Sequence, residues 1–217
     1  MIVIKLTGRI FDEEELVLKY ADVIRTITVK KVAVVTGGGN IARRYITAAR
    51  RGGASNTFQD LLGIYASRLN ALLLASLLRD VYPGVPRDLE EFLKAWHSYK
   101  VVVTGGFQPG QSTATVSALV AEAVGASILI NAANIDAVYD DDPRKNPNAR
   151  KLPKLTYDQF ESVIRAGSLP GSYELMDVWS VSILKRSCIS TYIFNYRRPE
   201  RIEAVLRGEN PGSVISC

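Results

Sequence analysis

The sequence is short of the residues on which much enzyme chemistry depends. It holds two cysteines, Cys188 and the terminal Cys217, and one histidine, His97. Two cysteines so placed do not make the disulfide framework of a small secreted domain, and no Cys/His spacing builds a zinc site. Metal hydrolysis and Ser-His or Cys-His nucleophilic catalysis are therefore poorly supplied. His97, beside Trp96, reads as structural. Long apolar runs are missing too. The longest, Ala71 to Leu78, contains Ser76 and falls far short of the roughly 18 residues a membrane span needs. At the N-terminus Lys5 interrupts Met-Ile-Val-Ile before it can serve as a signal sequence, and no small-residue cleavage site follows, so a cytoplasmic location is expected. No low-complexity linker divides the chain, and Pro83 to Pro86 and Asp142 to Asn148 have only the length of loops.

What is present suits one globular domain spanning residues 1–217. Of the 217 residues 47% are hydrophobic and 23% charged, with mean hydropathy +0.05. A chain of this size buries about 70% of the surface its unfolded form exposes. Lys plus Arg minus Asp plus Glu is 27 − 22 = +5. That excess suits nucleic acid or a small polyanion equally. The spaced aromatics and clustered basic face of a nucleic-acid-binding module are absent, so no nucleic-acid or membrane partner is expected.

Short β-rich runs alternate with helical periodicity, the pattern of a mainly parallel sheet covered by helices on both faces, an α/β class with three αβα layers. Ile2–Leu6, Val32–Thr36, Val101–Thr104, Ile128–Asn131 and Thr191–Asn195 are the continuous apolar runs that doubly buried strands require. Leu16, Tyr20, Val23, Ile24 and Ile27 recur at helical spacing after a capping box of Asp12 and Glu15. The apolar stripe Leu62, Tyr65, Leu69, Leu72, Leu73 and Leu77 places the longest helix at about 58–78. Asp88 with Glu91 and Thr156 with Gln159 open two shorter helices, and Ser112 or Thr113 caps another that runs through Val116, Leu119, Val120 and Ala123.

Four segments carry the chemistry. Lys5-Leu6-Thr7-Gly8-Arg9 sets a glycine turn between two cations, which can wrap a phosphate, although Lys5 also suits an edge strand that resists aggregation. Thr36-Gly37-Gly38-Gly39, followed by Arg43 and Arg44, joins a buried strand to a helix whose N-terminus favours an anion. Gly37, Gly39 and Ala42 also satisfy the dinucleotide fingerprint, with Asp60 at a suitable distance. That reading needs a strand before the acid, and none is predicted between Ile41 and Ala54. Gly105-Gly106 begins a nine-residue loop ending at Ser112 and Thr113, either a second anion site or a plain connection. Asn134 and Tyr139 offer an amide and a flat face for a nucleobase, followed by an acidic turn at Asp140, Asp141 and Asp142 that also suits plain solvent. Open α/β sheets bind ligands at the carboxyl ends of their strands, where all the glycine turns fall.

In order, these segments resemble the amino acid kinase family, and within it the archaeal type of uridylate (UMP) kinase. The resemblance runs over nearly the whole chain. It rests on Lys5-Leu6-Thr7-Gly8, Thr36-Gly37-Gly38-Gly39 with Arg43, Asp60-Leu61-Leu62-Gly63-Ile64 to Ala66-Ser67-Arg68-Leu69-Asn70, Gly105-Gly106-Phe107-Gln108-Pro109-Gly110, and Asn134-Ile135-Asp136-Ala137-Val138-Tyr139 to Asp142-Pro143. It implies an acetylglutamate kinase-like fold and transfer of the γ-phosphoryl group of ATP to UMP in pyrimidine synthesis. Lys5 would be catalytic. ATP would meet Lys5, Thr7, Gly8, Arg9, Gly39 and Arg43 on its phosphate side and Asn134, Tyr139 and Asp142 around base and ribose. UMP would meet Gly38, Asp60 and the loop Phe107, Gln108, Pro109, Gly110, Gln111, Ser112 and Thr113. Magnesium would arrive with ATP rather than on a protein metal site, and a homohexamer is implied.

Two departures stand out. Many relatives carry an aspartate in the helix-opening segment to orient the catalytic lysines, where this chain has Ser112-Thr113-Ala114-Thr115. Ala137 replaces the glycine of the turn before Tyr139, disfavouring positive φ there. The alternatives are another kinase of the same fold, acting on acetylglutamate, glutamate, carbamate or isopentenyl phosphate, or a non-catalytic nucleotide sensor or oxyanion-storage relative.

Overall fold

The computed structural model describes residues 1–27, 31–143, 145–165 and 175–217. Residue 144, inside the stretch read as a loop from Asp142 to Asn148, lies outside them. The strands are β1 (Ile2–Leu6), β2 (Val32–Thr36), β3 (Val101–Thr104), β4 (Ile128–Ala133), β5 (Val138–Tyr139), β6 (Lys151–Leu152), β7 (Lys154–Thr156), β8 (Ser190–Asn195) and β9 (Ser213–Ser216). The helices are α1 (Glu14–Thr26), α2 (Gly39–Arg51), α3 (Asn56–Ser76), α4 (Leu89–Ser98), α5 (Thr113–Ala123), α6 (Tyr157–Arg165), α7 (Val178–Arg186) and α8 (Arg201–Leu206). Every residue of β1, β2 and β3 is buried, which explains why they are apolar but for Lys5 and the closing Thr36 and Thr104.

The main sheet runs β3-β2-β1-β4-β8-β9-β7, and β5 pairs with β6 apart from it. From β3 through β8 all neighbours are parallel; β9 is antiparallel to β8 and parallel to β7. Alternate residues of each strand serve opposite faces. Val3, Val35 and Val102 join a cluster with Phe92 and Trp96 of α4, Val116 and Val120 of α5, Phe160 of α6 and Leu184 of α7. Ile4, Val34 and Val103 join the other, with Tyr20 and Ile24 of α1, Leu74 of α3 and Ile202 of α8. The result is three αβα layers with β1 near the middle.

The helix starts differ in how faithfully they follow local sequence. Thr156 and Gln159 form the reciprocal capping box, at 2.9 and 3.2 Å. Asp88 accepts from Glu91 N at 2.8 Å, and Ser112 caps α5. The Asp12/Glu15 box does not form, because residues Gly8–Asp12 are used in a 3₁₀ turn and α1 starts behind Glu13 with no side-chain cap. The apolar stripe on α3 faces outward: Tyr65 is 63% and Leu69 57% exposed. The face turned inward carries Ile64, Ser67, Asn70, Ala71 and Leu74.

The two cysteines also depart from expectation. Cys188, with φ +47°, and Cys217 form a disulfide with Cα atoms 5.5 Å apart, tying the last residue to the approach of β8. Loop-closure entropy for a separation of 29 residues corresponds to about 3.6 kcal/mol. Cys217→Ser is therefore expected to lower the unfolding free energy of the oxidised protein by about 3 kcal/mol in urea titration, and an unchanged value contradicts the cross-link.

Candidate active site

Parallel pairing puts the carboxyl ends of β1, β2 and β3 on one rim, and hydrogen bonds continue the ladder into the loops. Thr7 N donates to Ala132 O at 3.1 Å and Gly37 N to Leu6 O at 2.9 Å. The loops then touch backbone on backbone. A Cβ on Gly8 would lie 2.0 Å from Gly39 N, and one on Gly39 would lie 2.3 Å from Gly8 O. Gly39 also has φ +64°, so a side chain is excluded there by conformation as well as by space.

The inner face of α3 holds these loops from behind. Asn70 Nδ2 donates to Gly37 O at 2.8 Å, Ser67 Oγ accepts from Gly106 N at 2.8 Å, and Thr36 Oγ1 donates to Ser67 O at 2.8 Å. Arg68 spans Gly106 O at 3.0 Å and Phe107 O at 2.9 Å. Polar residues on a buried helix face thus serve as hooks for two glycine loops that have no side chains of their own.

Between the loops opens a cavity of about 530 Å³, in the size range of ligand pockets. Of the expected site residues it is lined by Lys5, Thr7, Gly8, Arg9, Gly38, Gly39, Arg43, Asp60, Gln111, Ser112 and Thr113. Among the described residues its charged lining is four cations, Lys5, Arg9, Arg43 and Arg50, against one carboxylate, Asp60, which suits a polyanion. No strand intervenes between Gly39 and Asp60, since α2 and α3 fill the interval, so the dinucleotide reading has no structural basis.

Lys5 is 5% exposed and its Nζ donates to Asn131 Oδ1 at 3.3 Å across the β1–β4 register. It lies within the sheet, not on an edge. Asp60 Oδ2 accepts from Gly110 N at 2.9 Å, which draws the tip of the loop from Phe107 to Thr113 towards α3. Gln111 Oε1 is buried with no hydrogen-bond partner among the described residues. Phe107, Gln108, Pro109 and Gly110 do not line the cavity themselves.

Nor do Asn134, Tyr139 and Asp142. Tyr139 donates to Asp136 Oδ1 at 3.0 Å, and Lys151 Nζ lies 2.5 Å from Asp136 Oδ2 and 5.9 Å from the centre of the tyrosine ring. Burial works against the Asp136 carboxylate, but hydrogen bonds from Lys151 and Tyr139 outweigh it and hold its pKa below the ordinary range. Burial and that same carboxylate push the Tyr139 phenol up. Ala137 is accommodated without positive φ.

Residues 1–195 match the model of the amino acid kinase family. The chain belongs to that family. A protein named uridylate kinase from Pyrobaculum neutrophilum is 72% identical over 216 residues, covering 100% of this chain and 99% of that one. Another of that name, from Sulfurisphaera tokodaii, is 45% identical over 221 residues, covering 99% and 98%. The crystal structure of uridylate kinase from Archaeoglobus fulgidus has TM-score 0.91 and 38% identity, covering 99% of each chain. The sheet described above is thus that of an amino acid kinase.

Three residues at the site escape sequence reasoning. Arg50 lines the cavity, held by Gln59 Oε1 at 3.1 Å. It lies seven residues, about two helical turns, beyond Arg43 on the same face of α2, a spacing visible in the sequence. Asn131, which meets Lys5, and Asp177, which accepts from Thr115 Oγ1 at 2.8 Å, stand behind the lining and are reached only through the tertiary fold.

Gly39→Ala and Gly53→Ala separate packing from conformation, because Gly53 has φ +78° but open space around it. Gly53→Ala is expected to cost about 1 kcal/mol in urea denaturation. Gly39→Ala is expected to cost at least about twice that, since the backbone of the Gly8 turn must move. Equal losses contradict the backbone contact.

Proposed function

We propose that this protein is a nucleoside monophosphate kinase that transfers the γ-phosphoryl group of ATP to UMP in pyrimidine nucleotide synthesis. The carrying observation is the cationic cavity on a single sheet rim, with the Gly37–Gly39 and Gly106–Ser112 loops on either side and Lys5 at its floor. Relatives named uridylate kinase, 72% identical over the full chain, support UMP as acceptor.

Phosphoryl transfer asks a protein chiefly to align two anions and to spread positive charge over the group in transit. An oxygen of the UMP phosphate attacks the γ-phosphorus, the bond to the β–γ bridging oxygen breaks, and ADP leaves. The nucleophile is already an anion, so no side chain need act as base. Lys5 supplies charge at the moving phosphoryl. Thr7, Gly8, Arg9, Gly39 and Arg43 receive the ATP phosphates. Gly38, Asp60 and the Phe107–Thr113 loop receive UMP, with the second Asp60 oxygen open to ribose hydroxyls. Asn134, Tyr139 and Asp142 border the base and ribose of ATP beyond the cavity proper.

Among the described residues no group of three or more His, Cys, Asp or Glu could hold a metal ion, and the cavity lining contributes only Asp60. A magnesium ion fits this site as cargo on the ATP phosphates, where it neutralises charge. No described helix is long and apolar enough to cross a membrane, and a cytoplasmic setting is proposed. One domain carries the reaction. The exposed Phe58, Tyr65, Leu69, Leu72 and Leu73 of α3, beside Tyr45 of α2, support a homo-oligomer, a hexamer by family resemblance.

A coupled assay of ADP formation across UMP, CMP, AMP, acetylglutamate and isopentenyl phosphate is expected to show turnover that depends on UMP. Turnover with another acceptor and none with UMP overturns the assignment. ATP binding in calorimetry with no turnover on any acceptor makes the protein a sensor.

A further inference from the structure

A carboxylate that does not line the cavity is hydrogen-bonded to the start of α5. Asp177 immediately precedes α7 and caps it, accepting from Ser180 N at 2.7 Å. The same group reaches the start of α5. Both its oxygens accept from Thr115 Oγ1, at 2.8 Å each, and Oδ2 also accepts from Ser112 Oγ. Ser112 Oγ in turn accepts from Ala114 N at 3.1 Å and Thr115 N at 3.0 Å. The serine's single proton is thereby committed to Asp177 and its lone pairs to the first turn of α5. Ser112, Thr113 and Ala114 line the cavity, whereas Asp177 does not.

We propose that Asp177 is a positioning residue for the acceptor, acting through Ser112 and Thr115 to hold the stretch from Gln111 to Ala114 in the geometry that receives the acceptor's phosphate. The proposal rests on the reading of that loop as the acceptor side. A residue needed only to cap α7 would bond Ser180 N and stop there; the contacts to Ser112 and Thr115 serve another element, 62 to 65 residues away in the chain. One carboxylate stands at the N-terminal ends of two helices, where both macrodipoles favour a negative charge. The position is tied on its other side as well. Leu175 O, two residues earlier, accepts from Asn131 Nδ2 at 3.2 Å, and Asn131 is the residue that meets Lys5. The stretch Leu175–Asp177 thus joins the lysine of the floor to the loop of the wall. It provides, from a distant part of the sequence, a carboxylate that the Ser112–Thr115 segment lacks.

Asp177→Asn keeps the shape and one oxygen to accept from Ser180 N, but its NH₂ cannot accept from Ser112. Steady-state kinetics are expected to show KM for UMP raised about tenfold, KM for ATP within about twofold of wild type, and an almost unchanged melting temperature. Thr115→Val added to Asp177→Asn is expected to bring little further loss, since both act through the same carboxylate. The gentler Thr115→Val should shift KM for UMP in the same direction by less. Equal rises in both KM values, a lowered melting temperature with KM for UMP unchanged, or additive losses in the double variant overturn the proposal. Wild-type turnover with UMP reports on the acceptor reading alone. The variant comparison, made with whichever acceptor the wild type phosphorylates, reports on Asp177.

Discussion

An ammonium group removed from water must regain its lost hydration from somewhere, and Lys5, 5% exposed on a strand near the middle of the sheet, poses that requirement at the centre of this protein. The Asn131 amide answers part of it from β4. The cavity answers another part whenever an anion occupies it. A neutral amide orients the lysine, which lines the cavity between the loops. Because β1 is flanked by β2 and β4, the lysine cannot leave this position without disturbing both registers.

The loops around that lysine are built by subtraction. Gly8 and Gly39 meet without side chains, and the space saved lets backbone N–H groups come close to a ligand. What glycine cannot do, anchor itself, is done by Ser67, Arg68 and Asn70 on α3. The same helix displays Tyr65, Leu69 and Leu73 on its far side, so an element that supports the site also offers the molecule's apolar outer face. Site support and an exposed apolar face thus share one helix.

The bounds of β1, β2 and β3 are legible in the sequence because a strand buried on both faces is a short run of apolar, mostly β-branched residues, which stands out even with Lys5 inside β1 and a threonine closing β2 and β3. Lys5 through Arg9, Gly37 to Gly39 and Ser112 are legible for a related reason: glycines and caps act within a few residues of themselves. The direction of α3 is not, since a helix apolar on most sides gives no moment to orient it, and only the hooks Ser67 and Asn70 betray the inner face. Asp177 and Asn131 are invisible for want of locality. One meets hydroxyls more than 60 residues away, and the other meets Lys5 only through strand register. The Cys188–Cys217 pair is likewise a product of where β8 and the C-terminus come to lie. The Asp12 cap fails because a 3₁₀ turn beginning at Gly8 competes for the same residues.

If the buried ammonium stabilises the phosphoryl group in transit, its removal should be felt at the transition state more than in the bound ground state. The direct measurement is Lys5→Ala in steady-state and binding experiments side by side. kcat is expected to fall by about 10² or more while the dissociation constant for UMP changes less than about threefold. Equal losses in turnover and in UMP binding would reduce Lys5 to a substrate clamp and contradict the account.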